Sequence, residues 1–232
     1  MKRSLLLTFS VAIISLELLS QVNGSQQLGS WYMYVGRNQI ADKWSIQTDV
    51  HLRTYKVASD FQQLLLAPGV NYHLNDGSRA SLGYAFMYTE SYLKDARMTT
   101  ASENRFWQAY LMNNQVGRVR FTHRYMLEER WIKPSLGKEI YKTRVRYLVQ
   151  LAIPINSAEI KPKTLFFSVI DDIMLHIEKN PFDQNRLFVG LGYQVSKSLT
   201  LQAGYYNQAF NNFYYDRLHL IVFFNPDLRK KE

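Results

Sequence analysis

Cysteine is absent from this sequence. An exported domain of this size that relied on disulfides would contain several cysteines, so its stability must come from backbone pairing and packing. Beyond residue 24 there is no run of about 18 consecutive apolar residues, which excludes a membrane-spanning helix from that part of the chain. Helical periodicity is also weak, whereas alternation with a period of two recurs along the chain and predicts β-strands.

The sequence also lacks the motifs that accompany common catalytic sites. It contains no GxSxG, no HExxH and no phosphate-binding loop, and the H-x-S-N-G motif of outer-membrane phospholipases is missing. His123, His176 and Ser168 share no motif with one another. The adjacent acids Asp171 and Asp172 would point to opposite faces of a strand, and no cluster of histidines or glutamates supplies further metal ligands. We therefore expect no metal and no cofactor, and an enzymatic role is not favoured.

Residues 1–24 are predicted to be a secretory signal peptide. They combine a basic start with an apolar run over 5–19, and Val22 and Gly24 have the spacing of a small-residue cleavage site. A membrane anchor is the alternative, but the apolar run is short for a spanning helix and Glu17 interrupts it.

The mature chain, residues 25–232, is expected to form a single domain. Without the two basic residues and the one acidic residue of the signal peptide, the 28 basic and 19 acidic residues become 26 and 18, so the net charge is +8. These charges are spread through strand-like segments and are mixed in sign, rather than gathered in one tail or helix. Nucleic acid is therefore not an expected partner.

The alternating segments predict an all-β protein, specifically an antiparallel up-and-down transmembrane β-barrel of about 10–12 strands. The segment 29–36 is an eleventh strand or part of a twelve-strand closure, and the basic tail after Phe224 is expected to be solvated. The turn "NDGS" at 75–78 is a strong hairpin signal, and short turns alternate with longer loops, as in outer-membrane barrels. Ten strands are predicted at 43–55, 61–74, 79–92, 102–113, 117–131, 139–153, 163–176, 184–195, 199–210 and 214–224.

The stretch "GRVRFTHRYMLEERW" at 117–131 separates into two faces when every second residue is read. One face carries four arginines and Glu128, and the other is mostly apolar and aromatic. In a membrane barrel the charged face would line the lumen and the apolar face would meet lipid. The alternative is a soluble periplasmic barrel with the faces exchanged, which would bind an apolar ligand. His123 fits the lipid face badly unless a bulge shifts the register or the residue lies near the rim.

The register of neighbouring strands predicts ion pairs in the lumen. A two-residue turn at Asn113-Asn114 would place Glu103 opposite Arg124. Across the 132–138 loop, one register places Glu128 opposite Lys142, and a second places it opposite Arg144. Both arrangements are attractive cross-strand pairs.

Four motifs carry a resemblance to a known family: "ENRFWQ" (103–108), "RFTHRYMLEER" (120–130), "TRVRY" (143–147) and "FDQNRLFVGLGY" (182–193). Through them, about 29–224 of the chain resembles domain of unknown function 2490, an uncharacterised family of Gram-negative exported proteins. Members look like outer-membrane β-barrels, so the resemblance implies that fold and that location but no activity. It also implies family polar positions at Glu103, Arg105, Arg124, Glu128, Arg130, Arg144, Arg146, Asp183, Asn185 and Arg186.

The strand faces and the resemblance together predict a lumen charge network and a location in the cell outer membrane. We expect a structural, adaptor or lipid-interacting barrel, with outer-membrane lipid as its partner. A narrow channel for small anionic solutes and a lipid-modifying acyl hydrolase remain alternatives. The predicted network consists of Glu103, Arg105, Arg120, Arg124, Glu128, Arg130, Lys142, Arg144, Arg146, Asp183, Asn185 and Arg186.

Overall fold

A computed structural model describes residues 28–75, 77–92, 98–178 and 180–229. The predicted signal peptide lies outside these ranges. Within them the chain contains no helix, and hence none long and apolar enough to cross a membrane. It forms eleven strands in one closed barrel: β1 (Gly29–Ala41), β2 (Trp44–Lys56), β3 (Ser59–Asn75), β4 (Ser78–Tyr92), β5 (Met98–Val116), β6 (Val119–Pro134), β7 (Ile140–Pro154), β8 (Thr164–His176), β9 (Phe182–Gln194), β10 (Leu199–Ala209) and β11 (Tyr214–Phe224).

All ten strands predicted from residue 43 onward are present, and the segment 29–36 belongs to β1, an eleventh strand. Consecutive strands pair antiparallel around the barrel. The barrel closes where β1 pairs with β11, and this pair is parallel. The parallel closure follows from the odd strand number, because β1 and β11 then run in the same direction.

Residues 225–229, the part of the predicted solvated tail that the structure describes, are mostly exposed, and they also extend this closing seam. Gln39 N donates to Pro226 O at 3.0 Å, and Leu228 N donates to Gln39 O at 2.8 Å. The Arg229 guanidinium pairs with Asp42 at 2.8 Å. The start of the tail is therefore held against β1.

The connections lie at two rims. The C-terminal rim, where β1 and β11 end, carries the fully described connections 42–43, 117–118, 155–163 and 195–198, and the N-terminal rim, where these strands begin, carries 57–58, 135–139 and 210–213. The alternation of short turns and longer loops therefore holds only in part, because a nine-residue connection interrupts the short turns and a two-residue turn joins β2 to β3.

The two strand faces are as predicted for the membrane arrangement. Buried positions on alternate residues are mostly charged, polar or aromatic, and they point into the lumen. The opposite face carries large apolar side chains that are exposed around the barrel. The alternative arrangement, with an apolar interior and solvated arginines, is therefore wrong. We call the exposed apolar face the outer belt; it includes Ile46, Leu66, Leu82, Phe106, Val145, Val189, Leu201, Leu220 and Val222.

The predicted turn at Asn113-Asn114 is wrong, because both residues belong to β5. The turn is Gly117-Arg118, where Gly117 has a φ of +58°, a backbone conformation that glycine adopts without strain. Val116 consequently pairs with Val119, and Glu103 lies opposite Ile132 rather than Arg124.

Between β6 and β7, Glu128 lies opposite Arg144, which confirms the second of the two predicted registers. His123 lies on the outer face toward the C-terminal rim, and the β5–β6 pairing contains no bulge. Its Nδ1 lies 2.8 Å from the Tyr147 hydroxyl, and its Nε2 lies 3.1 Å from Asn114 Oδ1. Both ring nitrogens therefore have partners, which explains how the imidazole is accommodated on this face.

Candidate functional site: the barrel lumen

The lumen contains a cavity of about 1130 Å³. Its lining begins at the C-terminal rim with Asp42 and Arg229 and extends to Asp183 and Phe210 near the N-terminal rim. All eleven strands contribute side chains to it. A volume of this size could hold a small organic molecule, so the lumen is the candidate functional site.

Six charged side chains from four strands form a ring of alternating sign in this lumen. Glu103 Oε1 accepts from Arg105 Nη2 at 2.7 Å and from Arg130 Nε at 2.7 Å. Arg105 Nη1 also donates to Glu128 Oε1 at 3.1 Å, and Glu128 Oε2 accepts from Arg144 Nε at 2.6 Å.

Asp183 closes this ring. Its Oδ2 accepts from Arg144 Nη1 at 2.5 Å and lies 3.7 Å from Arg130 Nη1. The pairing of β8 with β9 shifts register at this point, so Asp183 has no direct partner on β8 and both Asp183 and Gln184 reach the lumen. A bulge of this kind redirects a side chain that strict alternation would send outward.

A branch leaves the ring at Glu128 and ends on Asp172. Glu128 Oε1 accepts from Arg146 Nη1 at 2.9 Å. Arg146 also hydrogen-bonds Asp172, and Arg124 Nη2 lies 3.5 Å from the same carboxylate. We call the complete set the carboxylate–arginine network; its members are Glu103, Glu128, Asp172 and Asp183 with Arg105, Arg124, Arg130, Arg144 and Arg146.

Because its charged side chains are buried, the network is important for the stability of the folded barrel. Glu128 and Arg144 are each only 1 % exposed. Removing charges from water costs several kcal/mol for each ion, and close pairing offsets that cost. Loss of one member would leave its partners charged and desolvated, so the pairs depend on one another.

Four predicted members of the network lie outside it. Arg120 is exposed near the C-terminal rim, where its Nη2 donates to Ile160 O at 3.3 Å. Lys142 lies opposite Arg130 and makes no ion pair among the described residues. Both residues lie toward the ends of their strands, away from the buried carboxylates of the network.

Asn185 and Arg186 differ from the prediction in other ways. Asn185 points outward, and its Nδ2 donates to Asp171 Oδ1 at 2.9 Å. Arg186 does line the lumen, but its Nε donates to Gln184 Oε1 at 3.2 Å and it forms no ion pair within the described part of the chain. Consecutive strand residues point to opposite faces, so Asn185 and Arg186 could not both have faced the lumen.

Sequence reasoning missed Asp172 as a network member. The expectation that Asp171 and Asp172 point to opposite faces is confirmed, because Asp172 pairs with Arg146 and Asp171 lies outside. The face of Phe166, Ser168 and Ile170 also contains Asp172, so strand alternation could have identified it.

Ser168 and His176 do not form a catalytic pair. They are separated by eight residues on one strand, and Ser168 Oγ instead accepts from Gln150 Nε2 at 3.1 Å. His176 Nε2 lies 3.2 Å from Asp183 Oδ1. No group of three or more metal-binding side chains is found in the described ranges.

One Ser–His contact was missed because its residues come from different strands. Ser45 Oγ lies 2.9 Å from His73 Nε2, which is a distance suited to activation of a hydroxyl group. However, Ser45 is 1 % exposed and Asn71 Nδ2 also donates to it at 3.1 Å. No described residue orients the other ring nitrogen of His73. The contact between Ser45 and His73 is therefore part of the polar side-chain packing between β2 and β3.

The fold and the lumen together define a class: an all-β closed barrel with a charged interior and an apolar exterior. The chain belongs to the family described as "Protein of unknown function (DUF2490)", which matches residues 28–219. No curated protein and no solved structure matches the chain. The family description assigns no activity.

Proposed function

We propose that this protein is a small outer-membrane β-barrel with a structural, adaptor or lipid-interacting role. The observation that carries the proposal is the outer belt, whose large apolar side chains are exposed on every strand from β2 to β11. Soluble monomers rarely expose contiguous apolar patches larger than a few hundred Å². A lipid bilayer would cover a belt that surrounds the whole barrel.

Strand length supports the same proposal. The shortest strands, β10 and β11, have 11 residues each, and β5 has 19. About 9–11 tilted residues cross the hydrocarbon region of a bilayer. The predicted signal peptide would supply the export step that an outer-membrane location requires.

The role of the lumen follows from the carboxylate–arginine network. Its largely buried ion pairs cross-link β5 to β9 and line that side of the interior. A small barrel that is cross-linked in this way is suited to holding its shape in the membrane, and its loops and outer surface are then available to lipids or partner proteins.

Gel mobility tests the membrane location. We expect the protein in the outer-membrane fraction, with a band that migrates differently when unheated and boiled, because a closed barrel resists SDS in the cold. Recovery in the soluble periplasm without a mobility shift would overturn the proposal. Refolded protein in a planar bilayer should show no single-channel current; an anion-selective current would instead favour the narrow channel.

A matched pair of substitutions sharpens this test. Leu220→Arg places a charge at the middle of β11 on the outer belt, where about 2–4 kcal/mol would be lost in a bilayer. Leu136→Arg lies in the exposed β6–β7 loop and should have little effect. In lipid vesicles we therefore expect only Leu220→Arg to lower the folded fraction. Equal folding of the two variants would argue against lipid contact at Leu220.

A further inference from the structure

A second group of side chains lines the lumen on the side of β1, and one of its members, Arg186, lies opposite Asp172 of the carboxylate–arginine network. We call this group the Trp31 cluster. Its aromatic members pack around the indole of Trp31: His219 stacks on it with ring centroids 4.5 Å apart, Tyr206 meets it edge-on at 4.6 Å, and His51 lies at 5.3 Å. The cluster consists of Trp31, His51, Arg53, Arg186, Tyr206 and His219, and all six line the cavity.

Two arginines of this cluster face Trp31 and form no ion pair with the described residues, although Arg186 lies opposite Asp172. The guanidinium carbon of Arg53 lies 3.9 Å from the ring centroid, and that of Arg186 lies 5.4 Å from it. Arg53 hydrogen-bonds Gln63, and Arg186 donates to Gln184, so their partners are neutral amides. Neither arginine forms an ion pair with any described residue. Because Asp172 is already paired with Arg146 and Arg124, this side of the lumen carries uncompensated positive charge.

Seven buried polar atoms of the cluster have no hydrogen-bond partner among the described residues, and most of them are donors. They are Trp31 Nε1, Arg53 Nε, the Tyr206 hydroxyl and both ring nitrogens of His51 and His219. The indole and guanidinium N–H groups can only donate, a hydroxyl can donate, and a neutral imidazole carries one N–H. Trp31, Arg53, Tyr206 and His219 are each no more than 5 % exposed. A ligand that satisfies these groups must offer several acceptors.

We propose that the Trp31 cluster binds a phosphate group. A phosphate group presents several acceptor oxygens and a negative charge, and arginine pairs with it through charge-assisted hydrogen bonds. The remaining cavity leaves room for a larger molecule that carries the phosphate, either a lipid headgroup or a soluble ester. The site belongs to the lumen, so it does not depend on where the barrel is located.

Calorimetric titration of the refolded full-length mature barrel with inorganic phosphate tests the site, with chloride holding the ionic strength constant. We expect saturable binding that Arg53→Gln and Arg186→Gln each weaken about tenfold or more, the range for a lost charge-assisted hydrogen bond. Arg37→Gln is the matched control, since it also removes a lumen arginine, but one that pairs with Asp49 at 2.5 Å. Its phosphate affinity should stay close to that of the unaltered protein.

Three milder variants, each an exchange of one aromatic side chain for phenylalanine, guard against misfolding and locate the ligand. Tyr206→Phe removes one hydroxyl group and should weaken binding by about threefold to tenfold. A fluorescence change on phosphate addition should persist in Trp44→Phe, on the outer face, and disappear in Trp31→Phe.

A parallel titration with dihexanoyl phosphatidic acid distinguishes the two sources. Binding of both probes would identify the phosphate group itself as the ligand, and binding of the lipid alone would identify a headgroup that needs its acyl chains. The inference is overturned if neither probe binds saturably to a barrel that shows the heat-dependent gel shift, or if Arg53→Gln and Arg186→Gln bind as Arg37→Gln does. The gel shift is measured in the absence of phosphate. A negative result in the binding titrations would therefore leave the proposed membrane location unaffected.

Discussion

Glu128 is the carboxylate on which the lumen network converges. It pairs with Arg105, Arg144 and Arg146, which come from β5 and β7, while Glu128 itself lies on β6. Its neighbour Glu129 points to the other face and makes no ion pair among the described residues. Adjacent glutamates in one strand thus have different roles, because alternation places them in different surroundings.

This difference allows a controlled substitution. We expect Glu128→Gln to lower the free energy of unfolding by about 3 kcal/mol or more, because three buried guanidiniums lose charge compensation. Glu129 lies on the outer face opposite Phe106, and Glu129→Gln leaves no buried guanidinium unpaired, so it should not lower the free energy of unfolding. Urea unfolding of the refolded barrel in detergent micelles measures both. Equal midpoints would mean that the network is well hydrated.

At the scale of strands, glycines determine how closely aromatic side chains lie against the lumen wall. Gly190 on β9 and Gly204 on β10 are directly opposed, and the Phe188 ring covers them. A Cβ added at Gly204 would lie 2.3 Å from Val189 O and 2.6 Å from the Gly190 Cα. These neighbours are backbone atoms, so the clash could be relieved only by moving a strand.

Gly204→Ala should therefore destabilise the barrel by about 1–3 kcal/mol, the usual cost of overpacking. Gly36→Ala on β1 is the matched control, because its added Cβ would meet only the Tyr34 side chain, at 3.0 Å or more. Replacement of a glycine in a compatible conformation usually stabilises slightly. Thermal midpoints of the gel shift measure both variants; a Gly204→Ala midpoint at or above that of Gly36→Ala would contradict the close approach of β9 and β10.

At the scale of the whole molecule, the parallel seam between β1 and β11 closes the barrel. Eight consecutive pairs are in register, from Gly29 with Arg217 to Gly36 with Phe224. Gln39 extends the seam through a parallel bridge to Asp227. Without this closure both strands would expose unpaired backbone groups, a liability in water and a prohibitive one in lipid.

An engineered disulfide tests the closure and its register, since the chain has no native cysteine. Tyr34 lies opposite Val222, so Tyr34→Cys with Val222→Cys should form a cross-link that alters migration on a non-reducing gel. Tyr34→Cys with Leu218→Cys is the control, because Leu218 lies opposite Ser30, four residues away. A cross-link in the control pair, or none in the test pair, would indicate a different closure.

The sequence by itself determined the strands and their faces. A period of two can be read within one segment, so the separation of β6 into a charged face and an apolar face follows from local order alone. Which of the two faces points outward was left open by the alternation. Across the loop 132–138, the same alternation left Lys142 and Arg144 as possible partners of Glu128, and the structure shows that Arg144 is the partner.

Only the tertiary structure decided which strands and side chains meet. The turn at Gly117-Arg118 lies a few residues beyond the predicted one, and such a shift changes every cross-strand pair that follows from it. The strand number, the parallel seam and the bulge at Asp183 depend on closure of the whole sheet. The Trp31 cluster joins β1 and β2 to β9, β10 and β11, which are distant in the sequence and become neighbours only because the barrel closes.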